Sequence, residues 1–343
     1  MKRILLASLL LLAAAAPGRA QQQPQFTHFG YNGLYLNPGY AGIRGQTEVN
    51  AIFRYQYLGL TNSFGDESGS PRTGMVSASV PVLDLNGGVG LAVYYDVAGP
   101  TKLTNAALSY SQHVKLGNGQ LGIGVQGIFT YLSKGSYRAI DQNDPQVPES
   151  GSDRKFDAGA GLWYEGPKLY VGLSANNLFR SIYTLQSAVR NDSQDPNKIT
   201  GYQNTSRYLG ENHAYLTAGY NIEMSPTVTL TPQVLVKAVL PGNYDVLAKY
   251  NNQRNYSLEG GIRAAFNDQF SAGLNYRQDE SVSGLLGYAF GPDNRYRVSG
   301  AFDFIAFDQS ARAFASYELL LTLRLPKAVR LTRPPVRTPR YSF

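Results

Sequence analysis

Phe270-Ser271-Ala272-Gly273-Leu274-Asn275-Tyr276-Arg277 decides the fold. Phe270, Ala272, Leu274 and Tyr276 alternate with Ser271, Gly273, Asn275 and Arg277, and a strand points successive side chains to opposite faces. One face of this stretch therefore suits hydrocarbon and the other a wet interior. The same unit, about ten residues of alternation closed by a Gly/Asn/Asp/Pro turn, recurs from Gln46 to Leu325. It predicts an all-β protein, a transmembrane antiparallel β-barrel.

Outward from that stretch, strands are expected near 46–58, 73–82, 88–97, 103–115, 120–132, 155–164, 168–177, 212–223, 227–239, 255–266, 269–277, 282–290, 295–305 and 314–325, with a further candidate at 244–250. Bacterial single-chain barrels have an even number of strands, short periplasmic turns and longer outer loops. The connections Thr61–Arg72, Lys134–Asp153 and Phe179–Glu211 are long, whereas Asp84–Gly87, Gly117–Gly119, Glu165–Pro167, Asn267–Asp268 and Gly291–Asn294 are tight. The two sets alternate only if Pro241–Arg254 is one outer loop, so Tyr244–Tyr250 is read as a loop excursion and the barrel has about 14 strands.

Side-chain chemistry agrees with that phase. Val89, Leu91, Val93 and Tyr95 face lipid while Gly88, Gly90, Ala92 and Asp96 face inward; Leu169, Val171 and Leu173 oppose Tyr170, Gly172, Ser174 and Asn176. The strand charges Glu48, Arg54, Asp96, Asp157, Glu259, Arg263, Arg277, Arg297, Asp303, Glu318 and Arg324 all fall on the inward face. An outward Arg at the bilayer midplane would cost about 2–4 kcal/mol, so the sorting is informative. A soluble β-sandwich or propeller also alternates, but it does not call for an export signal or for short and long connections in succession.

Residues 1–20 have a basic start at Lys2 and Arg3, an apolar run from Ile4 to Ala16 and small residues at Gly18 and Ala20. They read as a signal peptide cleaved before Gln21. The chain contains no cysteine, which rules out a disulfide framework, thiolate chemistry and a bacterial lipoprotein anchor. The net charge of +7 is not a nucleic-acid signal. Lys2, Arg3 and Arg19 lie in the leader, and Lys327, Arg330, Arg333, Arg337 and Arg340 lie in a basic, proline-rich tail over 326–343, which leaves a body near neutrality. The expected organisation is a leader at 1–20, an N-terminal segment at 21–45, a barrel at 46–325 and a periplasmic tail.

Residues that carry catalysis are not evident. His28, His113 and His213 lie on separate segments without metal-ligand spacing, so no metal, cofactor or catalytic residue is expected. A barrel hydrolase would need a Ser or Asp nucleophile beside a base. Gly122, Gly124, Gly127, Gly159 and Gly161 precede no helix and are not phosphate loops; they are expected to make room for bulky neighbours such as Trp163 and Tyr170.

The segment before the first strand differs in kind. Gln25-Phe26-Thr27-His28 leads into Asn32-Gly33-Leu34-Tyr35-Leu36-Asn37-Pro38-Gly39-Tyr40-Ala41-Gly42, which is aromatic and turn-prone. It is expected to plug or underlie the barrel, or to dock a partner. This segment resembles the opening of the PorP/SprF family of type IX secretion and gliding proteins, an Asn-Pro-Leu-Tyr-x-Asn-Pro-Ala-Tyr-Ala-Gly-like motif. The matches are Asn32, Leu34, Tyr35, Asn37, Pro38, Tyr40, Ala41 and Gly42, and the departures are Gly33 and Gly39. Arg54 and Gln56 resemble the family's Arg-x-Gln-Trp element with Tyr57 in the Trp place. Asp303 resembles the aspartate of a Gly-Tyr-Ser-Tyr-Asp strand, and Glu318 the glutamate of a Ser-His-Glu-Ile element.

The resemblance implies a non-enzymatic barrel in the outer membrane of a Gram-negative bacterium, in contact with lipid. Its implied partners are type IX secretion proteins and secreted surface proteins. The tail is expected to reach an acidic periplasmic partner, such as a lipoprotein or a peptidoglycan-linked protein. With Arg277, the residues Arg54, Gln56, Asp303 and Glu318 are the polar lumen candidates. The competing class is a pore for small solutes, open or closed by the N-terminal segment as a hatch.

Overall fold

The structure, a computed structural model, describes residues 23–59, 70–135, 151–189, 201–240, 256–305 and 315–327, with side chains undescribed at 186–189 and 201–209. Its strands are β1 (Gln46–Tyr55), β2 (Arg72–Val82), β3 (Gly87–Ala98), β4 (Thr101–Leu116), β5 (Gly119–Lys134), β6 (Gly151–Glu165), β7 (Leu169–Asn176), β8 (Ile182–Val189), β9 (Gly201–Leu209), β10 (Asn212–Tyr220), β11 (Ile222–Ser225), β12 (Val228–Leu240), β13 (Tyr256–Phe266), β14 (Phe270–Arg277), β15 (Ser281–Phe290), β16 (Tyr296–Ile305) and β17 (Ala315–Lys327). All pairings are antiparallel. β1 bonds both β2 and β17, and β10 bonds both β7 and β12, so the sheet closes on itself as a barrel of 14 strands.

The remaining elements are additions to that ring. β11 continues β10 beyond Asn221 and pairs with the start of β12 across a register shift. β8 and β9 form a separate hairpin within the connection that the sequence pattern treats as one long loop, Phe179–Glu211. That connection carries no barrel strand, so the hairpin leaves the count of fourteen unchanged. The candidate strand Tyr244–Tyr250 lies outside the described residues, as do residues 1–22 and 328–343.

Closure satisfies every strand's main-chain groups without an exposed edge, which is what a sheet needs to cross hydrocarbon. No helix among the described residues is long and apolar enough to cross a membrane. The alternation has the expected phase. Leu91, Tyr95, Leu173, Phe270, Leu274 and Tyr276 are exposed on the outside, whereas Ser271, Asn275 and Arg277 are buried inside. Every strand charge assigned inward is buried or half-buried.

One end of the barrel carries the tight turns. Asn267 and Asp268 (φ 51° and 56°) join β13 to β14, and Asn86 (φ 45°) precedes β3; these are residue types that tolerate the left-handed region. The other end carries the long connections, together with two short turns, Gly99–Pro100 between β3 and β4 and 278–280 between β14 and β15. There β4, β5 and β6, at 16, 16 and 15 residues, exceed the roughly 9–11 residues that a tilted strand needs to cross a bilayer. They rise beyond it and hold the hairpin: Asp157 accepts from the amides of Phe179 and Ser181 at 2.9 and 3.3 Å, and Asp153 accepts from that of Thr184 at 2.8 Å.

Leu274 sits mid-strand on the outer face at 62 % exposure. Replacing it by Arg is expected to cost about 2–4 kcal/mol in equilibrium unfolding from lipid vesicles, whereas Ser271→Arg on the inner face is expected to fail by steric conflict instead. An unchanged stability for Leu274→Arg would mean that this face does not meet lipid.

Candidate functional site

The barrel interior is occupied by the chain's own N-terminal segment. From Gln23 to Ile43 nearly every residue is buried, in three short helical turns at Phe29–Tyr31, Gly33–Leu36 and Pro38–Tyr40. These turns are too short to be stable alone and are held by the wall. Asn37 starts the last turn, its Oδ1 accepting from the Gly39 amide at 2.8 Å. Its Nδ2 donates to the carbonyls of Leu162 and Leu173 at 2.9 and 3.0 Å. Asn-Pro here is therefore a turn and an anchor to the wall at once.

The half of the segment nearest the tight turns is fixed by shape. Leu34, Tyr40, Ala41 and Ile43 form a cluster with Trp163 and Tyr170. The Tyr40 ring meets Trp163 edge-on at 5.0 Å, and Trp163 stacks on Tyr170 at 5.5 Å. The Tyr40 hydroxyl donates to Glu48 at 2.9 Å, and burial pushes it well above the usual phenol range, so it stays a neutral donor.

The strand glycines take on a role here that the alternation pattern does not reveal. A Cβ on Gly122 would lie 2.1 Å from the Gly39 carbonyl oxygen, and one on Gly124 would lie 2.3 Å from the Gly39 nitrogen. On Gly88 it would meet the Ala41 carbonyl at 2.3 Å. These glycines admit the backbone of the N-terminal segment, a correction to the expectation that bulky wall side chains fill their space. That expectation does describe Gly172 against Trp163 and Gly219 against Tyr170, while Gly127 faces open space. Gly33 and Gly39, where the chain departs from the motif, are equally crowded, by the Tyr40 ring and by the wall backbone.

The other half is fixed by charge. Arg54 on β1 lies directly across from Glu318 on β17, at the seam where first and last strands close the barrel. Its Nη1 is 3.0 Å from Glu318 Oε2 and its Nη2 is 2.6 Å from Asp303 Oδ2. The three residues that resemble separate family elements thus form one buried cluster. Into it project Thr27, which donates its hydroxyl to Asp303 at 2.8 Å and accepts from Arg54 at 2.8 Å, and His28, whose Nδ1 lies 2.7 Å from Glu318. His28 Nε2 lies 2.8 Å from Ser299 Oγ, whose single hydrogen goes to the Leu286 carbonyl.

A second cluster adjoins it. Arg277 is 3.0 Å from both Glu259 and Glu280, and Glu259 accepts from Gln25 at 3.0 Å and Asn275 at 3.2 Å. Gln56 stands apart: it lies just past β1, half-buried, its amide donating to the Pro71 carbonyl at 2.9 Å. Of the motif residues, Asn32 donates to Met75 Sδ at 3.5 Å, Tyr35 donates to the Pro24 carbonyl at 2.6 Å, and Gly42 donates to Ser79 at 2.8 Å. His113 bonds the Ala41 carbonyl and His213 the Glu211 carbonyl, so the histidines serve separate main-chain contacts. Among the described residues no group of three or more His, Asp or Glu is arranged to hold a metal.

A closed 14-strand antiparallel barrel with lipid-compatible outer residues and charged groups turned inward is an outer-membrane β-barrel protein. Residues 18–323 match the family described as type IX secretion system membrane protein PorP/SprF, and the chain belongs to that family. No curated protein matches it in sequence. Similar solved structures include the CymD monoaromatic hydrocarbon channel (13 % identity, 86 % of this chain and 92 % of that one, TM-score 0.47). The Pseudomonas putida toluene transporter TodX (10 %, 84 % and 92 %, 0.45) and a Pseudomonas aeruginosa FadL homologue (13 %, 81 % and 89 %, 0.42) are alike at the same level.

Arg54→Met leaves Asp303 and Glu318 buried without their cation and is expected to destabilise the protein by about 3–5 kcal/mol. The loss is expected to appear first as faster hydrogen exchange at Thr27 and His28, with the barrel still resistant to detergent unfolding. Adding Asp303→Asn and Glu318→Gln to the same chain is expected to recover part of it, because the uncompensated charges are gone.

Proposed function

We propose that this chain is a non-enzymatic component of type IX secretion and gliding machinery that retains or delivers secreted surface proteins on the long-loop side and docks periplasmic partners on the tight-turn side. Family membership supports the secretion context. The observation that carries the reading is the filled lumen: the N-terminal segment is bonded to strands around the wall, which suits a closed scaffold better than an open solute channel. The β8–β9 hairpin and the extended ends of β4, β5 and β6 provide an outer surface for such partners. The basic tail, rich in proline, suits an acidic periplasmic partner by charge.

A second reading, a pore with the N-terminal segment as its hatch, draws support from the charged inward groups that would line a wet channel once that segment moved. Purification of the tagged protein from native outer membranes, with identification of what accompanies it, separates the two. The secretion reading expects co-purified secreted surface proteins, and no steady conductance in planar bilayers. Large conductance that rises when 26–42 is deleted, without such partners, would overturn it. Deleting 328–343, which lies beyond the end of β17, is expected to lower recovery of periplasmic partners while leaving the barrel folded; unchanged recovery and secretion would remove the role given to the tail.

A further inference from the structure

The wall of the lumen holds the long-loop half of the N-terminal segment through main-chain as well as side-chain groups. The ladder of a closed barrel uses most of its N–H and C=O groups, so the main chain of a guest is met chiefly by side chains. Glu318 receives the consecutive amides of Thr27 and His28, one on each carboxylate oxygen, both at 2.9 Å. Asn275 Nδ2 donates to the Thr27 carbonyl at 2.9 Å, and Lys237 Nζ donates to the Gln23 carbonyl at 2.6 Å. Every polypeptide carries the groups that these side chains bind.

Three further observations converge on the same place. Arg54 Nε, Arg277 Nη2 and Asn275 Oδ1 are buried there without a partner, and both arginines are 1 % exposed, so the resident segment leaves hydrogen-bonding capacity unused. Lys237 stands three residues from the long-loop end of β12, and Arg54 one residue from that end of β1, so the cluster faces that mouth. The other half of the segment, from Leu34 to Ile43, is matched to the wall through glycines and aromatic rings, a fit peculiar to its own sequence. Wall side chains reach main chain there too, Ser111 bonding the Gly39 carbonyl and Ser174 that of Leu36, so what sets Gln23–His28 apart is that no strand glycine is matched to its backbone.

We propose that Glu318, Asn275 and Lys237, braced by Arg54 and Asp303, form a receptor for polypeptide main chain, which Gln23–His28 occupies at rest and which an extended segment of an exported protein takes over. The proposal rests on the secretion reading for the source of the guest. The wall also states a preference. Asp303 and Arg54 both bond the Thr27 hydroxyl, and Glu318 and Ser299 both bond the His28 ring. The favoured guest is a hydroxyl residue followed by a side-chain donor, while Leu34–Ile43 stays in place.

The absence of native cysteine allows a single thiol probe, and Pro24→Cys places it where no side-chain bond is lost. In the full-length protein, excess synthetic peptide of sequence Gln23–His28 is expected to raise the thiol-labelling rate at Cys-substituted position 24 by about tenfold, from the charged hydrogen bonds it replaces. The same peptide N-methylated at the amides equivalent to Thr27 and His28 is expected to have no effect. A peptide with Ala in place of Thr and His, its amides intact, is expected to fall between.

As a second measurement, the chain lacking 23–28, checked for a folded barrel by heat-modifiable gel migration, is expected to bind the unmodified peptide about tenfold more tightly than the N-methylated one. Equal behaviour of the two peptides in both measurements, or binding of neither, overturns the receptor. Discrimination between the peptides alongside purified complexes that lack any secreted protein overturns the secretion reading and leaves the receptor standing.

Discussion

The contact on which the rest depends is Arg54 between Asp303 and Glu318, because it lies both at the seam of the barrel and at the anchor of the segment inside. A buried guanidinium needs carboxylates, and buried carboxylates need donors beyond one arginine to offset their desolvation. Thr27 and His28 supply those donors. The N-terminal segment therefore completes a charge cluster that the strands alone leave short of hydrogen bonds. Closure of the sheet and filling of the lumen are linked through the same side chains.

The wall meets the segment by two means set at different depths. Toward the tight turns it removes side chains, so that backbone lies against backbone at Gly122, Gly124 and Gly88. Side chains such as Ser79, Ser111 and His113 secure that fit, whereas toward the long loops charged and amide side chains alone span the space to the main chain of Gln23–His28. The first arrangement resists exchange, because any substitute must reproduce a shape. The second depends on groups common to all polypeptides. A closed lumen and a capacity to handle another chain are compatible for that reason.

Much of the architecture was legible in the sequence. The period-two pattern at Phe270–Arg277 and its repeats located all the barrel strands, and the alternation of tight and long connections excluded Tyr244–Tyr250 from the count. The hairpin Ile182–Leu209 was not legible, because a strand pair beyond the bilayer has no lipid face to impose an apolar period. The glycines were misread in part: a small residue announces that something approaches closely, but not whether it is a ring from a neighbouring strand or a distant backbone. Arg54, Asp303 and Glu318 could each be placed on the inward face, yet their meeting depends on the register between β1 and β17, set by residues 264 positions apart.

By itself the sequence determined the class of protein, the strand phase and the inward side of charges such as Arg54, Arg277, Asp303 and Glu318, since these follow from local alternation and from the cost of charge in hydrocarbon. Only the tertiary structure decided that the segment around Asn32–Gly42 runs through the lumen, that Thr27 and His28 complete the Arg54 cluster, and that Gly39 lies against Gly122 and Gly124. Those outcomes depend on how strands far apart in the chain are brought around a closed ring, and no periodicity in the sequence records that distance.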